Sequence, residues 1–276
     1  MITSSLLVMF GLGLACSVIL AVASKLLAVE EDPRVEAVLE VLPAANCGGC
    51  GFAGCEGYAA AAVRDPNTPA DRCCAGGAEV AAKVAELTGK AAGSAEPTVA
   101  FRRCAKTEGN VKVLFDYQGL LTCTAAKQLG SPDACAYSCL GLGDCLRACP
   151  FGAMYMAHGQ VHVILDKCTG CGMCARVCPN SILEIVPLAA RVMVLCSSQD
   201  KGKAVSDICG VGCISCMRCL KDCPGKCIKL EGGVIRIDHA ACLAYGPSCL
   251  EACAEKCPRG IIRRLSGFAA AGEEAA

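Results

Sequence analysis

Cys168-Thr-Gly-Cys171-Gly-Met-Cys174-Ala-Arg-Val-Cys178-Pro179 decides the reading of this chain. Three cysteines at every third position, a fourth after three more residues and a proline behind it form the run that wraps a cubane [4Fe–4S] cluster. The fourth cysteine of such a run ordinarily serves the neighbouring cube. Cys213-Ile-Ser-Cys216-Met-Arg-Cys219-Leu-Lys-Asp-Cys223-Pro224 repeats the pattern. Disulfides between cysteines this close in sequence are geometrically poor, and a disulfide framework belongs to small secreted domains. Structural zinc takes paired C-x2-C elements across a long gap rather than one tight run closed by proline. The 27 cysteines of this 276-residue chain therefore point to a reducing compartment and to one-electron chemistry at low potential.

Working outward, the two runs belong to a duplication. Cys135, Cys139, Cys145, Cys149 and Cys168 recur 74 residues later as Cys209, Cys213, Cys219, Cys223 and Cys242. Cys149 and Cys168, like Cys223 and Cys242, lie 19 positions apart. A hairpin pattern fills each gap, 153–156 with 161–165 and 228–230 with 234–237, turning at Gly159 and at Gly232-Gly233. Each half reads as a bacterial-type two-cluster ferredoxin module, and the two stand in tandem.

Upstream lies Asn46-Cys47-Gly-Gly-Cys50-Gly-Phe-Ala-Gly-Cys55, with Cys73 and Cys74 following. Three short helices are expected around it. The first starts at the Asp32 cap and Pro33 and carries Val35, Val38, Leu39 and Leu42; the second runs from Glu56 to about Arg64, the third from about Gly77 to Leu87. C-x2-C-x4-C-x17-C then gives a one-cluster domain held by Cys47, Cys50, Cys55 and Cys73, too small to fold without its metal. Residues 3–24 carry no charge over 22 positions, enough to span a bilayer. Ala21-Val22-Ala23 mimics a signal-peptidase site, yet no basic residue precedes the apolar run, which favours a retained anchor. Lys25 and Arg34 follow the span, placing the N-terminus outside and the bulk of the chain in the cytoplasm.

The expected architecture is α+β: a single transmembrane anchor (1–28), a small helical [4Fe–4S] domain (29–88), a linker (89–103), a first ferredoxin module (104–190), a second (191–265) and a C-terminal tail (266–276). Lys plus Arg and Asp plus Glu balance at 26 each, so bound clusters, at roughly −2 each with their thiolates, would make the protein acidic. There is no long basic run, no Trp and only 4% aromatic residues, which excludes a nucleic-acid binder. Neither a P-loop nor a haem-attachment motif occurs. His158, His162 and His239 lie on or beside the hairpins and read as solvated.

Sharing ligands between the runs of a module assigns Cys213, Cys216, Cys219 and Cys257 to one cube, and Cys223, Cys242, Cys249 and Cys253 to another. The second set is loosely spaced, with Tyr245 and Ser248 where cysteines are expected. In the first module Cys149 joins Cys168, Cys171 and Cys174. The remaining cube has Cys139, Cys145 and Cys178; Leu142 occupies the usual fourth position, and Cys135 is the nearest free thiol. That makes five cubes. Cys123 and Cys196 occupy matching places before each module, and with Cys104 and Cys209 they form either a sixth cube or buried free thiols. Cys16 is read as inert packing in the span. From Arg218 to Arg264 nine Lys/Arg face five Asp/Glu, either as compensation for cluster charge or as a docking face for an acidic electron donor.

Anchor, Asn-Cys-Gly-Gly-Cys-Gly-Phe-Ala-Gly-Cys element, Arg72-Cys73 before Gly76-Gly77 and tandem modules together resemble the B subunit of the Rnf complex, the membrane-bound ion-translocating ferredoxin:NAD+ oxidoreductase, in its long form. The resemblance aligns Cys73, rather than Cys74, with the family's fourth ligand. It implies an electron-transfer subunit that takes electrons from reduced ferredoxin and relays them through [4Fe–4S] clusters to membrane partner subunits, coupled to Na+ or H+ transport. NAD+ would be reduced on another subunit, in keeping with the lack of a dinucleotide fingerprint here. Two alternatives stay open: a membrane-anchored polyferredoxin of a hydrogenase or heterodisulfide reductase type, and a cluster-based redox sensor or scaffold.

Overall fold

Helix α1, Ile2–Leu26, is built from the uncharged stretch and closes with Lys25 in its last turn. Its described apolar side chains are exposed: Leu7, Met9 and Phe10 are all more than 70% exposed. The Ser17 hydroxyl donates back to the Gly13 carbonyl at 2.8 Å, which satisfies the polar group within the helix. The computed structural model describes residues 2–26, 32–91, 93 and 96–265; the expected tail, 266–276, lies outside them. Side chains of α1 are described without interruption only over 9–25. Among the described residues no helix is long and apolar enough to cross a membrane.

Three helices form the next unit. α2 is Pro33–Val41, started by Asp32, whose carboxylate accepts from the Arg34 N–H at 3.0 Å. α3 is Cys55–Arg64 and α4 is Gly77–Thr88. Their shared core is Val35, Val38, Leu42, Tyr58, Ala59, Ala62, Ala70, Val84 and Ala85. Four alanines in that core let the helices approach closely but bury little apolar area, so packing alone stabilises the unit weakly. Lys90 reinforces it: its ammonium donates to the carbonyls of Ala62, Asp65 and Thr68 at 2.6–2.7 Å, closing the C-terminal end of α3.

The remainder is two copies of one plan. In the first, β1 (Thr98–Arg102) leads to α5 (Cys123–Gln128), α6 (Asp144–Arg147), the hairpin β2 (Met154–Ala157) and β3 (Gln160–Val163), α7 (Met173–Val177) and β4 (Leu183–Pro187). In the second, β5 (Val192–Val194) leads to α8 (Gly202–Ile208), α9 (Arg218–Lys221), the hairpin β6 (Ile228–Glu231) and β7 (Val234–Ile237), α10 (His239–Tyr245), α11 (Ala252–Glu255) and β8 (Ile262–Arg264). Each copy is closed by its own ends, β1 antiparallel to β4 and β5 antiparallel to β8. The linker expected over 89–103 is therefore shorter, because 98–102 is a strand of the first module, its Val99, Ala100 and Phe101 buried. Both hairpins fall within two residues of their expected limits.

The two modules share a core. Val99, Phe101 and Val186 of the first pack with Met193, Leu195 and Leu265 of the second. Buried Arg103 reaches across to the carbonyls of Cys196 at 3.2 Å and Ile235 at 2.8 Å and pairs with Glu184 at 3.3 Å. An isolated bridge pairs Val111 with Cys209, and Gly210 N–H donates to the Asn110 carbonyl at 2.7 Å.

Candidate metal centres

Four pockets are each lined by four or more cysteines. Cys213, Cys216, Cys219 and Cys257 line one, as the run spacing requires. Cys223, Cys242, Cys249 and Cys253 line another. Their loose spacing is absorbed by a 3-10 turn at Pro247–Cys249 and by Leu250 and Glu251, both in the left-handed region, before α11 brings Cys253 inward. Arg191 approaches this set, with a guanidinium nitrogen 3.7 Å from Cys249 Sγ and a contact to Glu251. Nothing in the run spacing pointed to Arg191.

The third cavity corrects the assignment of Cys135. Cys139, Cys145 and Cys178 are joined there by Cys123, not by Cys135. Thr122 caps α5 by accepting the Ala125 N–H, and Asp144 accepts the Thr124 N–H at 3.1 Å and its hydroxyl at 3.2 Å. These bonds carry Cys123 onto the start of α6, next to Cys145. Cys135 sits one turn before Cys139, a turn closed by Ser138 N–H to the Cys135 carbonyl, and its side chain falls on the far side with Val111, Val205 and Cys209. There it lines the fourth cavity with Cys104, Cys196 and Cys209. The internal match is also corrected: Cys104 and Cys196, not Cys123 and Cys196, hold equivalent places, each two residues beyond the first strand of its module.

Cys149, Cys168, Cys171 and Cys174 are brought together around α7, where Cys174 is buried among the other three thiols. The Ala100 N–H of β1 donates to Cys168 Sγ at 3.2 Å. Cys47, Cys50, Cys55 and Cys73 surround the loop before α3. Asn46 accepts the Cys55 N–H through its side-chain oxygen at 2.8 Å, which fixes the loop on the helix start. The Tyr58 hydroxyl donates to the carbonyls of Ala70 at 2.7 Å and Pro69 at 3.1 Å, anchoring the segment that leads to Cys73. Cys50, Cys55 and Cys73 pack against the helical core of the unit, and Cys74 is half-buried beside them.

The N-terminal unit meets the first module at this point. A Cβ added to Gly49 would lie 2.8 Å from the Cys171 carbonyl oxygen and 3.1 Å from its Cα. Arg176 of α7 donates to the Gly48 carbonyl at 2.8 Å. The cysteine loop of one unit is thus seated directly on the cysteine run of the next.

The sites fit iron–sulfur groups on chemical grounds. Their thiols line shared pockets, and a donor set of four soft thiolates suits iron–sulfur clusters. Backbone N–H groups aim at the sulfurs, as from Gly49 to Cys47 at 3.5 Å, Cys139 to Cys104 at 3.4 Å and Cys213 to Cys196 at 3.3 Å; such bonds favour thiolate and tune cluster potential. Burial, with neighbouring thiols adding to it, pushes Cys145, Cys174 and Cys219 up to about 12 and Cys253 to about 11. These groups therefore hold protons that iron must displace, which couples cluster binding to folding. Buried Cys227 lines the same pocket as Cys223, Cys242, Cys249 and Cys253, with its thiol donating to the Gly225 carbonyl at 3.2 Å.

The histidines are less solvated than expected. His158 is exposed at the first hairpin turn, but His162 is half-buried, stacked on Tyr155 with ring centroids 5.1 Å apart. Burial lowers the His162 and His239 pKa values, so both are neutral near pH 7.

Comparison with known proteins gives a concordant picture. A 4Fe-4S dicluster domain family matches residues 131–179, and an Fe-S cluster family matches residues 42–74. The chain is 45% identical to the B subunit of the proton-translocating ferredoxin:NAD(+) oxidoreductase complex of Clostridium ljungdahlii, over 94% of this chain and 91% of that protein. It is 40% identical to the B subunit of the ion-translocating oxidoreductase complex of Methanosarcina acetivorans, over 94% and 97%. With the B subunit of the Na(+)-translocating ferredoxin:NAD(+) oxidoreductase complex of Acetobacterium woodii the identity is 39%, over 92% and 73%.

Proposed function

We infer the role of this chain from its family: it belongs to the B subunits of the ion-translocating ferredoxin:NAD+ oxidoreductase, or Rnf, complexes. It is an electron-transfer subunit of that oxidoreductase, and an α+β iron–sulfur protein. A bound [4Fe–4S] cluster supplies a one-electron site at low potential. Five such sites are assigned: Cys47, Cys50, Cys55 and Cys73; Cys123, Cys139, Cys145 and Cys178; Cys149, Cys168, Cys171 and Cys174; Cys213, Cys216, Cys219 and Cys257; Cys223, Cys242, Cys249 and Cys253. Cys74 is the neighbour able to replace Cys73.

Reduced ferredoxin is the donor, the tandem modules are the intake, and the N-terminal unit is the outlet to the membrane partners. The observation that supports this path is the close approach of Gly49 to Cys171 and the bond from Arg176 to the Gly48 carbonyl, which set the two cysteine loops side by side. The excess of basic residues over Arg218 to Arg264 suits an acidic donor at the opposite end. Helix α1 is the membrane anchor. That reading rests on the uncharged stretch 3–24 of the sequence, since the described residues alone do not make a helix long and apolar enough to cross a membrane. The N-terminus lies outside and the cluster domains in the cytoplasm; protease applied to inverted vesicles should digest the chain beyond residue 26, and protection there would reverse the orientation.

The path is tested in the purified complex with Cys73→Ser. Ferredoxin-dependent NAD+ reduction should be lost while the tandem modules are still reduced by ferredoxin, seen by EPR. Undiminished NAD+ reduction would exclude the N-terminal unit as outlet, and modules left oxidised would exclude them as intake.

A further inference from the structure

The second module builds one of its cysteine sets from an irregular run. Cys242 and Cys249 stand seven positions apart, where Cys168 and Cys171 of the first module stand three apart. The extra length turns through Gly246, Leu250 and Glu251, all at positive φ. Two of these are not glycine, so the loop keeps that shape only with help from contacts outside it.

One side chain supplies such contacts. Arg191, directly before β5, has only 15% of its side chain exposed and lines the pocket of Cys223, Cys242, Cys249 and Cys253. Its guanidinium donates to the Gly246 carbonyl, stands 3.7 Å from Cys249 Sγ and meets the Glu251 carboxylate at 3.4 Å. The loop is thus gripped before, at and after Cys249. We propose that Arg191 is a positioning residue for electron transfer, which orients Cys249 and raises the reduction potential of the cube held by Cys223, Cys242, Cys249 and Cys253. The inference rests on the assignment of a cube to those four cysteines, and not on the donor or the direction of electron flow.

Electrostatics set the sign. One electron from a reductant takes [4Fe–4S]2+ to [4Fe–4S]1+ with no bond made or broken, and the charge of the set with its thiolates goes from about −2 to about −3. A fixed cation donating to a ligand sulfur favours the more negative state. Burial limits the screening of that cation by water and salt. Glu251 acts in the opposite sense, as an anion on the same guanidinium, and Arg264 offsets part of its charge from the other side. The duplication supplies a comparison. Arg191 lies five residues before Cys196, and five residues before Cys104, at the equivalent place in the first module, is buried Val99. The cation is therefore a feature of the second module and not of the shared plan.

The test uses the full chain, purified anaerobically in detergent, with iron assayed per polypeptide and cluster midpoints read by EPR during titration with dithionite and redox mediators. The signal of this cube is the one missing from Cys253→Ala. Arg191→Met should make that cube about tenfold harder to reduce, about 59 mV lower for one electron, with the other midpoints unchanged. Arg191→Lys keeps the charge and should recover most of the shift. Glu251→Gln should move the same midpoint upward. Opposite signs in the two charge-removing variants follow from electrostatics, and a loosened loop does not produce them. A midpoint unmoved in Arg191→Met, or lowered in both Arg191→Met and Glu251→Gln, overturns the proposal. If Arg191→Met loses this cube outright, Glu251→Gln decides alone: a rise sustains the proposal and no rise overturns it. Wild-type iron content in Cys253→Ala would instead remove the cube assignment beneath it.

Discussion

Gly49→Ala tests the contact between the N-terminal unit and the first module, through which the proposed electron path runs. The added methyl would stand 2.8 Å from the Cys171 carbonyl oxygen, and ordinary contact begins at 3.4 Å. The backbones must therefore part by about 0.6 Å, the difference between those two distances. A shift of that size along the Arg176–Gly48 bond stretches it from 2.8 Å to beyond the hydrogen-bonding range. Overpacking of this kind costs about 1–3 kcal/mol, and it falls wholly on the contact between units, since Gly49 has an ordinary negative φ. Gly57→Ala is the control: its methyl meets only Phe52 Cβ, at 3.8 Å, within α3, where alanine is favoured by about 0.5–1 kcal/mol. Rapid-freeze EPR after mixing with reduced ferredoxin would follow reduction of the N-terminal cluster. It should slow in Gly49→Ala and not in Gly57→Ala, while reduction within the tandem modules keeps its rate, and amide exchange should rise over residues 46–55 and 168–176. Unchanged kinetics and exchange in Gly49→Ala would refute the claim that this contact carries the electrons.

Tyr58→Phe removes the hydroxyl bonded to Ala70 and Pro69 and should cost about 1 kcal/mol, seen as a lower thermal midpoint of cluster loss; burial holds the phenol up to about 12, so the effect should not vary between pH 6 and 9. Arg103→Met strips the Cys196 and Ile235 carbonyls of their partner and leaves Glu184 to Arg236 alone, and should destabilise the joined modules by about 2–4 kcal/mol in anaerobic denaturant titration; an unchanged midpoint would show that the buried cation contributes nothing. Cys227→Ala should leave iron and sulfide content as in the wild type, and loss of a cube would make Cys227 a ligand. Anaerobic removal of iron with a chelator should abolish amide protection across residues 33–88, whose core is mostly alanine and valine.

The cysteine runs were legible because metal spacing is local: C-x2-C-x2-C places three sulfurs on one side of a single turn whatever surrounds it. The hairpins and the three N-terminal helices were legible for the same reason, since Asp32, Gly159 and Gly232 act on their immediate neighbours. Cys123 and Cys135 were not. Each lies outside a run, and the side of the chain its thiol takes depends on distant partners, Asp144 for the first and Val205 with Cys209 for the second. Strand β1 was hidden by its setting, a five-residue segment directly after a stretch of small residues, and its partner β4 lies more than eighty positions on. Nothing in the sequence marked Arg176 or Arg191, because contacts between residues far apart in the chain leave no periodicity.

The cavity shared by the modules also bears on how the protein is made. A ribosome delivers Cys104 and Cys135 long before Cys196 and Cys209, yet all four walls belong to one chamber. Every other first-module cysteine finds its companions by the time residue 178 emerges. These two wait for another thirty residues of translation, as bare thiols on a half-made chain. The interval is a window for oxidation or mispairing that the finished molecule no longer shows, and it makes the arrival of β5 the step that commits both halves to one another.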